Sequence, residues 1–270
     1  MKYIFLILIT LFLVACGDSS EEEFDLEATW YTPDIETTWQ WQLSGDVNTS
    51  YNVDIYDIDL FDSNSSLIES LHNDGKKVIC YFSGGSYEDW REDKADFPQA
   101  ALGNNMDGWK GEKWLDISNT GLESVMKARL DLAKEKGCDG VEPDNMDGYD
   151  NNTGFPLSSV SQLKYNKFMA NEAHKRDLSI ALKNDLSQII ELEPYFDFAV
   201  NEQCNAYSEC DLLQPFIDAN KPVLNAEYSS EYVNNTDSKR DLMCSNSINL
   251  SLQTLILPMD LDDSFRYSCK

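Results

Sequence analysis

Basic residues are scarce in this 270-residue chain: 21 Lys and Arg stand against 48 Asp and Glu, leaving a formal net charge of -27. A surplus of that size repels polyanions and excludes nucleic acid as a partner. It is compatible with a cationic substrate, whose approach the field accelerates, and equally with solubility in an extracellular setting. Histidine is scarcer still. His72 and His174 are the only 2, and both lie in polar, helical-looking stretches suited to surface or boundary roles. No Cys-x-x-Cys or Cys/His spacing suggests zinc, so neither a metal nor another cofactor is expected. Internal repeats and a low-complexity core are missing too, which argues against a solenoid.

Long apolar runs are also lacking. The one at the N-terminus, Tyr3 to Val14 behind Lys2, is too short to span a membrane comfortably and has the layout of a targeting segment. It ends in Leu13-Val14-Ala15-Cys16, which resembles the bacterial lipobox. That resemblance implies cleavage after residue 15 and lipidation of Cys16, hence an exported lipoprotein held at a membrane, periplasmic or at the cell surface. Residues 16–27 then form an acidic, serine-containing tether, and residues 28–270 the folded domain, expected as a monomer.

Without Cys16, six of the 7 cysteines remain, an even set in an exported chain, which suggests disulfides. About fifteen pairings are formally possible; Cys204 with Cys210 is the preferred short loop, and Cys244 with Cys269 would tie down the C-terminus. Cys80 and Cys138 sit in apolar, strand-like runs and read equally well as buried free thiols.

From Thr38 onward strand and helix patterns alternate. Strand candidates are 38–43, 53–61, 77–82, the run after Gly137, 179–182, 196–200, 222–226 and 252–257, with helices at 65–73, 122–136 and 160–176. Asp74-Gly75 and Gly137 are helix stops. Eight short apolar strands with intervening helices predict a single (β/α)8 TIM barrel, because strands buried on both faces look like this. Most of them end in polar or charged residues, where barrel enzymes carry their chemistry. The stretch Ser83 to Ser118, with Trp90, Trp109, Trp114 and Asp116, is expected to be an ordered insertion after the third strand, over the barrel mouth.

The densest chemistry lies in Gly140-Val141-Glu142-Pro143-Asp144-Asn145-Met146-Asp147. Side chains alternate along a strand, so Glu142 and Asp144 share a face and perturb one another. Asp144 after the fourth strand and Glu202 after the sixth fit a glycosidase, which commonly needs one carboxyl group to protonate the leaving oxygen and another as nucleophile or base. Trp39, Tyr81, Trp90 and Tyr149 could stack on sugar faces.

The motifs Cys80-Tyr81-Phe82-Ser83-Gly84-Gly85, Trp114-Leu115-Asp116-Ile117, Gly137 through Asn145, Leu182-Lys183-Asn184-Asp185 and Val200-Asn201-Glu202-Gln203-Cys204 closely resemble glycoside hydrolase family 114, the endo-α-1,4-polygalactosaminidases. The resemblance runs from about Thr38 to Asp260, with the motifs in the family's order. One departure is Gly84-Gly85, where an alanine–glycine pair is commoner. The resemblance implies a TIM barrel that cleaves α-1,4-linked galactosamine polymers, with Asp144 and Glu202 as catalytic carboxylates. The expected roles are Asp144 as nucleophile and Glu202 as general acid/base, with the reverse open. It places Asp57, Tyr81, Asp116, Glu142, Asn145, Asp147, Lys183, Asn184 and Glu227 around the substrate. De-acetylated galactosamine is cationic, so extra carboxylates suit it through charge-assisted hydrogen bonds, while Lys183 would orient a carboxylate.

Two rival readings start from the same residues. A non-catalytic carbohydrate-binding barrel would use these acids without cleaving, or the enzyme would act on another amino-sugar polymer. A cation module at residues 144–152 fits poorly, because Asp-Asn-Met-Asp-Gly does not reproduce the calcium-loop pattern.

Overall fold

The computed structural model describes residues 28–270; the expected signal segment, the lipidation site Cys16 and the tether lie outside them. Twelve strands form two sheets. The larger contains β1 (Trp39–Gln42), β2 (Ile55–Asp59), β3 (Lys77–Ser83), then β7 to β12; the smaller contains β4 (Ser86–Glu88), β5 (Leu102–Asn105) and β6 (Glu112–Leu115). β7 (Gly140–Asp144), β8 (Ser179–Lys183), β9 (Phe198–Glu202), β10 (Val223–Glu227) and β11 (Gln253–Ile256) continue the parallel array in sequence order. Tyr267–Ser268, β12, pairs antiparallel with β11. All eight predicted barrel strands are therefore present, their ends shifted by up to a few residues, as one curled, mostly parallel sheet. Its two edges approach each other. The Trp39 indole donates to the Gln253 carbonyl at 2.8 Å, and Arg266 donates to Gln40 Oε1 and the Trp39 carbonyl at 2.6 and 2.8 Å.

The connections follow from local sequence. α1 (Ser65–Asn73) is capped by Asn64, whose side chain accepts from the Leu67 amide. α2 (Leu122–Lys136) stops at Gly137, which takes φ 95, a conformation that favours glycine. α3 (Ser159–His174) starts in a capping box made by Ser158 and Ser161. Among the described residues, no helix is long and apolar enough to cross a membrane.

Strand parity divides the interior in two. Trp39, Trp41, Ile55, Ile79, Ala181, Phe198, Val200, Leu224, Ala226 and Leu255 form one buried cluster on the concave face of the sheet. Their strand neighbours Tyr56, Ile58, Val78, Cys80, Ile180, Leu182, Ala199 and Val223 pack outward against Ile68, Leu71, Met126, Leu130 and Met169 of the helices. Both faces are apolar, which is why the strands read as continuous hydrophobic runs.

Three disulfides stitch the outer layer: Cys204–Cys210, Cys244–Cys269 and Cys80–Cys138. The first two match the pairs expected from the sequence. The third corrects the alternative of two buried thiols. β3 and β7 are parallel neighbours with Cys80 opposite Val141, so the turn leading into β7 carries Cys138 to within 6.0 Å of Cys80, Cα to Cα. Both histidines keep to the periphery: His72 bonds Asp139, and His174 stacks on Trp30 and bonds Asp197.

Candidate active site

At the C-terminal ends of β7, β8 and β9 the concave face changes from apolar to charged without a change of parity. Ala181 is followed two residues on by Lys183 and Val200 by Glu202, while on β7 the charge starts one step earlier, at Glu142, and continues at Asp144. Each strand then turns sharply, with Asn145, Asn184, Asp185 and Gln203 at φ between 48 and 62. Left-handed backbone at non-glycine residues costs on the order of 1 kcal/mol each and collects at functional sites. Two glycines set the position of Asp144. The Gly84 and Gly85 amides donate to its carbonyl at 2.8 and 3.0 Å. A Cβ on Gly85 would lie 1.7 Å from the Asn145 carbonyl oxygen, and one on Gly84 2.6 Å from the Met146 sulfur. The glycine pair that departs from the commoner pattern therefore lets this loop close onto β3.

Lys183 is the hub. Its Nζ lies 3.0 Å from Glu142 Oε1, 3.1 Å from Asp144 Oδ1 and 3.5 Å from Glu202 Oε2. Burial alone would lower the pKa of this ammonium; the charges of Asp144, Glu142 and Glu202 outweigh that and hold it well above the ordinary lysine value. Asp144 also accepts from the Asn145 amide at 2.7 Å and the Tyr81 hydroxyl at 2.8 Å. Glu202 accepts from the Tyr228 hydroxyl at 2.5 Å, from Asn184 Nδ2 at 3.4 Å, and has its own amide held by Asn184 Oδ1 at 3.0 Å. Glu142 is fully buried, and burial pushes its carboxyl up to about 7 despite the opposing pull of Lys183.

A cavity of about 580 Å³ opens above this hub. Tyr81, Asp144, Asn145, Asp147, Lys183, Asn184 and Glu202 all line it, so seven of the residues singled out in the sequence converge. The opposite wall comes from the 84–118 stretch, with Glu88, Trp90, Arg91, Trp109, Glu112 and Trp114. Trp90 and Trp109 are half exposed. Burial raises Glu112 to about 7. A second groove of about 310 Å³ shares Asp147, Asn184 and Glu202 with the cavity and continues along Asp150, Asp185, Tyr207 and Glu209. Burial, reinforced by Asp144, raises Asp147 to about 6; burial and Asp147 raise Asp185 to about 8.

Four expected residues lie elsewhere. Asp57 and Glu142 are wholly buried beneath the hub. Asp116, beyond β6, turns its carboxylate to the Ser118 amide. Glu227 has the outward parity on β10 and accepts from the Asn205 amide at 2.8 Å; its neighbour Tyr228 has the inward parity and reaches Glu202. Trp39 is buried in the concave core, and Tyr149 bonds Asp185 at 3.3 Å. Trp41, Arg91, Glu88, Glu112 and Tyr228 were not singled out from the sequence. Parity is the signal for Trp41, two residues along from the core residue Trp39; for Tyr228, two along from Ala226, it becomes a signal only with the register of β10 against β9. Among the described residues, no group of three or more His, Cys, Asp or Glu is arranged to hold a metal ion.

The fold and the motifs have close counterparts. Ega3 of Aspergillus fumigatus, solved in complex with galactosamine, is 41% identical and superposes with a TM-score of 0.85, over 90% of this chain and 98% of that one. The glycoside hydrolase domain of PelA from Pseudomonas aeruginosa shares the fold, with a TM-score of 0.67 over 84% of this chain and 96% of that one, at 11% identity. No curated protein sequence matches. The profile of glycoside-hydrolase family GH114 matches residues 20–270, and with that match and the likeness to Ega3 the chain belongs to glycoside-hydrolase family GH114.

Proposed function

We propose that this glycoside hydrolase cleaves α-1,4-linked galactosamine polymers, with Asp144 as nucleophile and Glu202 as general acid/base. The observation that carries the reading is the pair of carboxylates at 3.1 and 3.5 Å from one ammonium, at the floor of an open cavity. Three donors, from Lys183, Tyr81 and Asn145, converge on Asp144, which suits a nucleophile that must be held in one orientation. Glu202 is the more exposed of the two, its side chain at 28% against 19%, and suits the group that meets leaving oxygen and water in turn. Two oxygens sharing one nitrogen partner sit close together. That favours the ~5–5.5 Å spacing of a retaining pair over the ~6.5–9.5 Å that admits an attacking water. Asp144 would attack the anomeric carbon while Glu202 protonates the departing oxygen; Glu202 would then take a proton from the water that releases the sugar from Asp144.

Substrate class follows from the walls. Asp147 and Glu112 line the cavity and Asp185 and Glu209 the adjoining groove, a set of carboxyl groups that suits a cationic sugar. Trp41 lines the cavity with its ring, while its indole N–H is buried and meets no acceptor within the protein. The galactosamine bound by Ega3 supports the same sugar here.

The finer architecture is part of the proposal. The curled sheet would close as a (β/α)8 barrel through the Trp39–Gln253 and Arg266 contacts, and residues 83–118 would be an insertion over its mouth. Residues 1–15 would direct export, Cys16 would carry the lipid and hold the protein at a membrane, and 28–270 would act as a monomer.

The test is product release from partly de-acetylated α-1,4-galactosamine polymer by the mature protein, D144N and E202Q. Oligosaccharides from the wild type and a fall of roughly 10²–10⁴-fold in both variants is the expected result. Binding without release would instead favour a carbohydrate-binding barrel.

A further inference from the structure

Beneath Lys183 lies a second pair of acids that the cleavage scheme leaves unused. Asp57 on β2 and Glu142 on β7 are both fully buried and share the inward parity on either side of β3, Asp57 opposite Ile79 and Glu142 opposite Tyr81, close enough for each charge to bear on the other. Within the protein, neither Asp57 oxygen, Oδ1 or Oδ2, meets a donor, and Glu142 Oε2 meets none either. Ionised carboxylates only accept hydrogen bonds, so two of them can bond each other only through a proton. Two unshared charges in a water-free core would each carry a desolvation cost of several kcal/mol. The charged groups facing the pair are Lys183 from β8 and Asp144 at the end of β7, with Glu202 of β9 and the hydroxyls of Tyr81 and Tyr228 just above. One ammonium thus faces four carboxyl groups.

We propose that Asp57 and Glu142 hold a single proton between them, so that the pair presents one negative charge to Lys183 and fixes the ammonium against Asp144 and Glu202. Asp57 and Glu142 are positioning residues: neither lines the cavity, and both act through Lys183. The proton sits mainly on Asp57, because Glu142 Oε1 is engaged by Lys183 at 3.0 Å while Asp57 has no cationic partner of its own. In that form Asp57 donates to Glu142 Oε2, which satisfies an otherwise orphaned oxygen on each side. Burial and the Glu142 charge raise Asp57 well above the usual aspartate range, in agreement.

A shared proton has a signature that two independent carboxylates lack. D57N and E142Q each remove one ionisable group and its proton, leaving the pair's net charge at minus one. D57N/E142Q takes it to zero. The expected kcat on galactosamine polymer is within about fivefold of wild type for each single variant and at least ~50-fold lower for the double, with KM moving far less. Losses that multiply independently would overturn the proposal, as would a fully active double variant.

If the double variant does not fold, difference infrared spectroscopy of the wild type replaces it. One protonated carboxylic acid band, present at neutral pH in the wild type and in D185N, should vanish in both D57N and E142Q, and the lack of any band lost in common to those two variants would overturn the shared proton. The kinetic arm rests on the proposed function. A wild type that releases nothing from the polymer would count against that function, while the infrared band would still decide the proton.

Discussion

Two buried charge clusters lie within one side of this molecule, and they are built on opposite principles. Around Arg91 and Arg129 two cations face three acids, Asp59, Glu88 and Asp93, and forked contacts fix the geometry. Arg91 grips Asp59 through both guanidinium nitrogens at 2.6 and 3.0 Å and Glu88 at 2.8 Å. Arg129 grips Asp93 at 2.7 and 3.0 Å and donates to the Ser83 carbonyl at 2.7 Å. Their guanidinium carbons lie 5.0 Å from ring centroids of Phe61 and Phe97. Around Lys183 the imbalance is far wider, one compact ammonium against Asp57, Glu142, Asp144 and Glu202. The planar fork of arginine suits a permanent joint, and here it fastens the 84–118 stretch to β2, β3 and α2. A lysine point charge leaves its partners' other lone pairs free. The fastened cluster holds a wall in place; the starved one leaves Asp144 and Glu202 facing the cavity.

That contrast is broken most directly by removing each cation. R91M strands Asp59 and Glu88, whose side chains are 5% and 3% exposed, and should cost ~3–5 kcal/mol of stability with a smaller effect on kcat in the folded fraction. K183M leaves acids that reach water through the cavity or take up a proton, so its Tm should fall less while kcat drops ~10²-fold or more. Thermal melts and kinetics on both variants decide it. Parallel losses of Tm and kcat in the two would erase the distinction.

The next effect concerns the frame beneath both clusters. Cys80–Cys138 closes a separation of 58 residues, against 25 for Cys244–Cys269 and 6 for Cys204–Cys210. On a chain-entropy basis its loss in C80S/C138S should cost ~4 kcal/mol, against ~2 kcal/mol for C204S/C210S. Denaturant titrations of the two should rank in that order.

The starved region should also show in the pH dependence of stability. Asp185 and Glu112 have folded-state values of about 8 and about 7, above those of the unfolded chain. The native state therefore binds more protons between roughly pH 4 and 8, so their contribution is complete below that window and is lost as pH rises through it. Tm should decline from pH 5 to pH 8.5, and D185N should flatten the upper part of the decline. The smallest change is expected at the rim. W90A and W109A should raise KM a few-fold, in line with ~0.5–1.5 kcal/mol per aromatic contact, and leave kcat nearly unchanged.

Much of the site was legible because it obeys a period of two. Glu142 and Asp144, Ala181 and Lys183, Val200 and Glu202 are each two residues apart on one strand, and the sequence shows the acids at the strand ends directly. Glu227 and Tyr228 mark where that legibility stops. Val223 to Ala226 is buried on both faces, so hydrophobicity does not say which parity faces inward; only the register with β9, Ala226 opposite Glu202, selects Tyr228. Arg91 was hidden for another reason, since the residues around it have neither barrel periodicity nor a motif of the family. Its partner Asp59 lies 32 residues back.

By itself the sequence determined the eight-strand α/β alternation, the acidic surplus, the motifs of the family and the two carboxylates at the ends of β7 and β9. These are local patterns, written in neighbouring residues. Tertiary structure alone decided that Cys80 meets Cys138, that Asp57 and Glu142 lie under the site instead of in it, and that one lysine binds three carboxylates. Those facts depend on the register between strands and on which buried oxygens find a donor, and burial in a close-packed interior is a property of the assembled sheet.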